Sequence, residues 1–237
     1  MRRFWDTVRV EPGETGYAIL LDGKPMHLPG GAVLRVDAEK LACAIAEEWQ
    51  AAGGAIGGEM SFADTPLTRL AGTAQQRIAP DPAPTVDAIA RYAESDLLCY
   101  RAEGPEELVA RQTREWQPWL DWVAMTYNAP LRVGTGIAFV KQHRGSVATL
   151  RSAVAELDIA ALAALGIAIP ALGSLVLGLA LAERQLDAES AHALGALDEL
   201  FQVDAWGEDA EAAARRASIA ADIALAERFL HLTRASL

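Results

Sequence analysis

The residues able to do chemistry in this chain are few, acidic and scattered. In Leu197–Gly207, LDELFQVDAWG, Asp198 stands four residues after Leu194 and three before Phe201. Leu194, Leu197 and Phe201 share one helical face at those spacings, so Asp198 lies on an apolar stripe while Glu199 points elsewhere. A carboxylate there needs hydrogen-bond donors, a cation or a second protein. No catalytic partner stands nearby in sequence, which points to recognition rather than bond-making. Glu94 and Asp96 in RYAESDLLCYRA form the other acidic pair. Paired carboxylates can divide acid and base work. Two residues apart on a helix they diverge, and ion pairing within the helix is the expected use. Ser174 lacks the second glycine of a nucleophile elbow and reads as a helix residue bonded to backbone.

Tryptophan supplies the other possible contact chemistry. Trp116, Trp119 and Trp122 recur at intervals of three in QTREWQPWLDW. They read as core aromatics, with a partner-binding anchor as the sharper alternative. Trp49 closes the stripe begun by Leu41 and Ile45 and would brace a helix against a sheet, with Glu47 and Glu48 as a solvated edge. The glycines from Gly53 to Gly58 lack the lysine and hydroxyl residue of a phosphate loop, and the same holds for Gly134 and Gly136. Cys43 and Cys99 are far apart among apolar neighbours and read as buried thiols. The four histidines make no zinc motif. The expectation is no cofactor and no metal.

These side chains must be positioned by two kinds of structure. The first thirty-six residues read as a small antiparallel sheet: Phe4–Val10 in part, Tyr17–Leu21, Lys24–Leu28 and Val33–Val36, with Asp22-Gly23 as the hairpin turn. Asp37 should cap a helix stopped by Gly53-Gly54. Pro66 should start the next helix, and Val86, Ile89, Ala93 and Leu97 define another. Gly104-Pro105 should open one through Glu115, and Pro118 another ending near Asn128. Leu131–Val140 reads as an extended link. Helices follow over Ser146–Leu157, Ile159–Ala182, Asp187–Trp206 and Glu208–Thr233, with Glu211 and Arg215 as an i,i+4 pair. The uncharged run Ile159–Ala182 reads as two buried helices meeting near Gly166–Pro170, because Pro170 should end or kink a helix; a membrane-associated segment is the alternative. The fold class is α+β: a β-rich domain with one helix over 1–58, then a helical domain over 59–237.

With 237 residues, 51% of them apolar, the chain can bury a core. A net charge of −11 argues against nucleic acid and anionic membrane surfaces, whose phosphates it would repel. No apolar run follows Arg2-Arg3, so no secretory or transit peptide is expected.

Several segments, in order, resemble one family: the assembly chaperone that binds the α subunit of the F-type ATP synthase catalytic sector. They are Arg3-Phe4-Trp5, LDGKPMHLP at 21–29, Glu48-Trp49, PLTRLAGT at 66–73, YAESDLLCYRA at 92–102, Gln112–Trp122, GSLVL at 173–177 and LDELFQVDAWG. The resemblance implies a non-enzymatic protein that holds newly made α subunit until β subunit arrives. It implies a β-rich amino-terminal part and a helical remainder. It places the family's acidic position at Asp198, and it implies a cytoplasmic bacterial protein, or a mitochondrial-matrix one if processed. Asp198, Glu199, Phe201 and Trp206 are the candidate partner-binding residues; Trp49, Trp116, Trp119 and Trp122 are the structural ones. The alanine-rich stretch from Ile159 to Pro170 departs from the family pattern. The rival reading is a small cytosolic hydrolase using Glu94, Asp96 or Asp198, which requires two titratable groups converging in one pocket.

Overall fold

Asp22 and Gly23 both take positive φ, +48° and +76°, which gives the hairpin the turn that matches strand twist. That turn leads from β2 (Tyr17–Leu21) into β3 (Lys24–Pro25). Strand β1 (Val8–Pro12) pairs antiparallel with β2, Val8 opposite Leu21, while β3 and β4 (Arg35–Val36) share the other edge of β2. The computed structural model describes residues 1–234, so residues 235–237 of the expected helical domain lie outside it. Strand β1 begins later than expected because the residues before it are committed elsewhere. The Trp5 indole donates to the Trp49 carbonyl, and the amides of Asp6 and Thr7 donate to the Asp22 carboxylate.

Helix α1 (Glu39–Ala51) buries Leu41, Ala42, Ala44, Ile45 and Trp49. Asp37 does not cap it: the N-cap is Ala38, without a side-chain bond. Its carboxyl end is capped from a distance. Arg3 is only 4% exposed, and its guanidinium donates to the carbonyls of Gln50, Ala52 and Gly54 as well as those of Trp5 and Asp6. The last carbonyls of a helix have no partner within it and carry partial negative charge, so a buried cation fits here. Cys43 is exposed on this helix, contrary to the expected buried thiol, whereas Cys99 is buried and its thiol is pushed up to about 12 by desolvation.

The chain forms two compact units: Met1–Pro82 with the segment that starts at Arg228, and Ala83–Glu227. The reason the first runs past Gly58 is Glu48. It is not on a solvated edge. Its carboxylate accepts from the amides of Leu67 (2.7 Å) and Thr68 (3.1 Å) and from the Thr68 hydroxyl (3.2 Å), which caps α2 (Pro66–Thr73). The Trp49 indole donates to Thr68 Oγ1 at 2.8 Å, so neighbouring residues of α1 hold the start of α2. Desolvation raises the Glu48 pKa against the pull of those donors.

The second unit is helical: α3 (Ala83–Ala90), α4 (Glu106–Tyr127), α5 (Arg144–Ala155), α6 (Ile159–Leu172), α7 (Leu175–Ala182), α8 (Ala188–Gly195), α9 (Leu197–Trp206) and most of α10 (Ala210–Thr233). One parallel pair joins β5 (Tyr100–Arg101) to β6 (Gly134–Thr135), and β6 lies inside the expected link Leu131–Val140. Two prolines expected to divide helices do not. Pro118 sits within α4 and Pro170 within α6. Each lacks the N–H that would reach the carbonyl four residues back. Arg114 and Gly166 own those carbonyls, and both, like the prolines, lie on exposed faces where water can serve them. The α6–α7 junction therefore falls at Gly173, whose φ is +65°, and not at Gly166–Pro170. Among the described residues no helix is long and apolar enough to cross a membrane.

The RYAESDLLC segment is not the helix expected of it. After α3 the chain tightens into single turns of 3-10 helix, and Asp96 is completely buried. Its carboxylate accepts from the amide of Leu98 (3.0 Å), the hydroxyl of Ser174 (2.8 Å) and the amide of Val176 (3.0 Å). Ser174 is the N-cap of α7, its hydroxyl also accepting from Leu177, rather than a mid-helix residue. Asp96 is thus a junction between a turn and a helix start. Burial still wins over those donors and raises its carboxyl to about 6.

Candidate functional site

The expected helix Asp187–Trp206 is two helices, separated at Ala196. Asp198 therefore does not share a helix with Leu194; it lies in the first turn of α9, where an acidic group is favoured by the helix dipole. Only Leu197 is buried in α9, and Asp198, Glu199, Leu200 and Phe201 are half-buried. The helix ends in Trp206, 87% exposed, before Gly207 at φ +89°.

Polar bonds fix this helix on its neighbours. Asp198 Oδ1 accepts from Gln112 Nε2 on α4 at 2.8 Å, and Gln112 Oε1 in turn accepts from the Ala102 amide at 2.8 Å. Asp198 Oδ2 accepts no hydrogen bond from the described residues. Arg111 pairs with Asp204 at 3.1 Å. Glu199 pairs with Arg215 at 2.9 Å and lies 3.6 Å from Arg216. Arg215 is consequently engaged by Glu199 and not by Glu211, because α9 brings a carboxylate closer than its own helix does.

A buried cation lies within electrostatic reach of Asp198. Arg101, on β5, is buried; its guanidinium lies 5.3 Å from the Trp116 ring centre and donates to the Leu98 carbonyl. Its Nη2 has no hydrogen-bond partner among the described residues. Burial lowers the Arg101 pKa, and its neighbours Cys99 and, to a smaller extent, Asp198 pull it back up. Trp116 is fully buried, and its indole donates to the Leu194 carbonyl at 3.0 Å, fastening the end of α8 to α4. Trp119 and Trp122, half-buried, meet edge to face at 6.2 Å, and Trp122 meets Tyr127 at 5.7 Å. Trp49 packs 4.8 Å from Trp5.

The structure thus gathers Asp198, Glu199 and Phe201 on α9, with Trp206 at its end. Gln112 and Arg101 complete the site and were not singled out in the sequence. Gln112 was findable: it follows Leu108 and precedes Trp116 and Leu120 at spacings of four, a polar residue on an apolar stripe just as Asp198 was. The hydrolase pair is separated instead, since Glu94 is exposed while Asp96 is sealed from solvent.

The ATP12 chaperone protein family profile matches residues 2–124. Among solved structures, Atp12 from Paracoccus denitrificans is 43% identical, with 98% of each chain covered and a TM-score of 0.92. A variant of that protein with one aspartate replaced by lysine matches equally well. A protein of Agrobacterium tumefaciens, described as a candidate chaperone, is 37% identical over 98% of this chain and 86% of its own, with a TM-score of 0.91. The fold, its order of strands and helices, and these matches together place the chain in the ATP12 chaperone protein family.

Proposed function

We propose that this chain is an assembly chaperone for ATP synthase, binding the unassembled α subunit, preventing its aggregation and passing it on to β subunit. One observation carries the reading beyond family membership. Asp198 is held by one oxygen while its other oxygen accepts no bond from the described residues, at the head of a helix whose far end exposes Trp206.

An unassembled subunit exposes apolar surface normally covered by its neighbour, and such patches aggregate. A chaperone must cover that surface and later release it. Apolar contact through Phe201 and Trp206 supplies affinity. A fixed carboxylate supplies register and penalises clients without a matching donor. The bacterial source of the similar structures supports a cytoplasmic setting for this task.

The test is light scattering of isolated α subunit with and without the purified chain. Suppressed scattering at near-equal stoichiometry, without nucleotide, is the expected result. Scattering that rises as fast with the folded chain present as without it overturns the proposal.

A further inference from the structure

Residues 131–144, LRVGTGIAFVKQHR, contain Arg132, Lys141 and Arg144 and no acid, in a chain of net charge −11. The segment carries a cluster of exposed apolar side chains: Val133 is 42% exposed, Ile137 103% and Phe139 68%. Apolar groups that could collapse inward normally do. Here the backbone prevents it.

The loop is pinned at both ends and in the middle. Gln142, nearly buried, accepts from the Arg132 amide at 2.8 Å and donates to the Arg132 carbonyl at 2.9 Å. Strand β6 pairs with β5, the Gly136 amide donates to the Arg101 carbonyl at 2.8 Å, and the Val140 amide donates to the Tyr100 hydroxyl. Gly134 permits the close return, since a Cβ there would fall 2.4 Å from Val140 Cγ2. Glu103 lies against the loop, its carboxylate close to Gly136. An apolar tip held outward on a braced loop has its ordering cost met in advance, the condition for a binding anchor.

Arg101 and the residue after it also serve the α9 site. Arg101 holds Gly136 through its carbonyl and interacts with the charge of Asp198 through its side chain; Ala102 holds Gln112, which holds Asp198. Loop and carboxylate are fixed to one strand. We propose that the 132–141 loop is a second arm of the client-holding surface, and that its occupant is an apolar client segment bordered by carboxylates. Ile137 and Phe139 bury against the apolar stretch, and Arg132 and Lys141 face the acids. This rests on the reading of the α9 surface as the client site.

The experiment compares the full chain with I137S/F139S and with R132E/K141E, using isolated α subunit as client and circular dichroism melts to verify folding. The expected result is retention weakened on the order of tenfold by the apolar pair. The charge pair should slow association and flatten its salt dependence. If the wild-type chain holds the client and the folded I137S/F139S chain holds it equally well, the loop proposal alone is overturned. If the wild-type chain fails to hold it, both proposals fall. Client retention unchanged, with vesicles containing anionic lipid or a second copy of the chain bound in an Ile137- and Phe139-dependent way, also overturns the loop proposal by naming a different occupant.

Discussion

Replacing Asp198 by asparagine and by lysine separates its two jobs. In the folded chain Asp198 Oδ1 accepts from Gln112 Nε2, and Gln112 is 1% exposed. An asparagine can present its amide oxygen at the same position, so Asp198→Asn keeps the bond to Gln112 and loses its charge assistance, about 1 kcal/mol or less, together with the weak, half-exposed attraction to Arg101. Asp198→Lys places a donor opposite a donor. It forfeits a bond to a charged acceptor, about 1.5–3 kcal/mol, leaves the buried Gln112 amide unsatisfied, and sets a second cation near Arg101. A loss of about 3 kcal/mol lowers the melting temperature by about 6–12 °C for a chain of this size. On the proposed function the asparagine variant, near wild type in stability, should still hold the α subunit about tenfold less tightly, because the charge offered by Oδ2 is gone. The assays are thermal denaturation followed by circular dichroism and client binding by titration. If the asparagine variant binds as wild type does and the lysine variant weakens only in step with its melting temperature, Asp198 serves the fold alone and the client argument fails.

Two further outcomes test the buried architecture. Asp96 titrates near 6 when folded against an ordinary 3.8, so between those values the native chain keeps a proton the unfolded chain releases. Stability contributed at this site must therefore fall as pH rises through that window, by about 3 kcal/mol in all, with the ionised form costing most above about pH 6. Chemical denaturation of wild type against Asp96→Asn across the window reads the difference, and a flat difference refutes it. Gly178 on α7 packs so closely on α6 that a Cβ would fall 2.3 Å from Ile169 Cγ1. Gly178→Ala should cost about 1–3 kcal/mol by overpacking, and adding Ile169→Ala should recover part of it, a coupling that a double-mutant cycle in denaturant measures.

What the sequence carried plainly was periodicity and turn chemistry. Asp22-Gly23, Pro66, Gly53-Gly54 and the α+β order were legible because each is a local requirement of backbone geometry. The misreadings concern where single residues sit in the folded chain, facing water or facing partners distant in sequence. Pro118 and Pro170 remain inside helices because their orphaned carbonyls face outward. Glu48 read as a solvated edge and Asp96 as a partner in an ion pair within its helix because their actual partners, Leu67 and Thr68 in one case and Ser174 and Val176 in the other, are about 20 and about 80 residues away in sequence. Cys43 looked buried because its neighbours are. At the site, Asp198 was legible as a charge among apolar residues, but its partner Gln112 comes from 86 positions earlier.

On the proposed function Asp198 is shared between the fold and the client, and that sharing would limit how tightly the client is held. Within the chain its charge helps offset the desolvation of Arg101, a buried cation with one nitrogen unpartnered among the described residues. A client cation that draws the carboxylate toward itself weakens that compensation, and the internal loss subtracts from the free energy of binding. By linkage the reverse also holds: whatever Arg101 gains from Asp198 is withheld from the client. Replacing Arg101 by a neutral side chain would remove the competition, so a folded Arg101→Gln chain should grip its client more tightly and release it more slowly. For a protein whose proposed task ends in handing the client on, a carboxylate half-committed to its own fold is better suited than a free one.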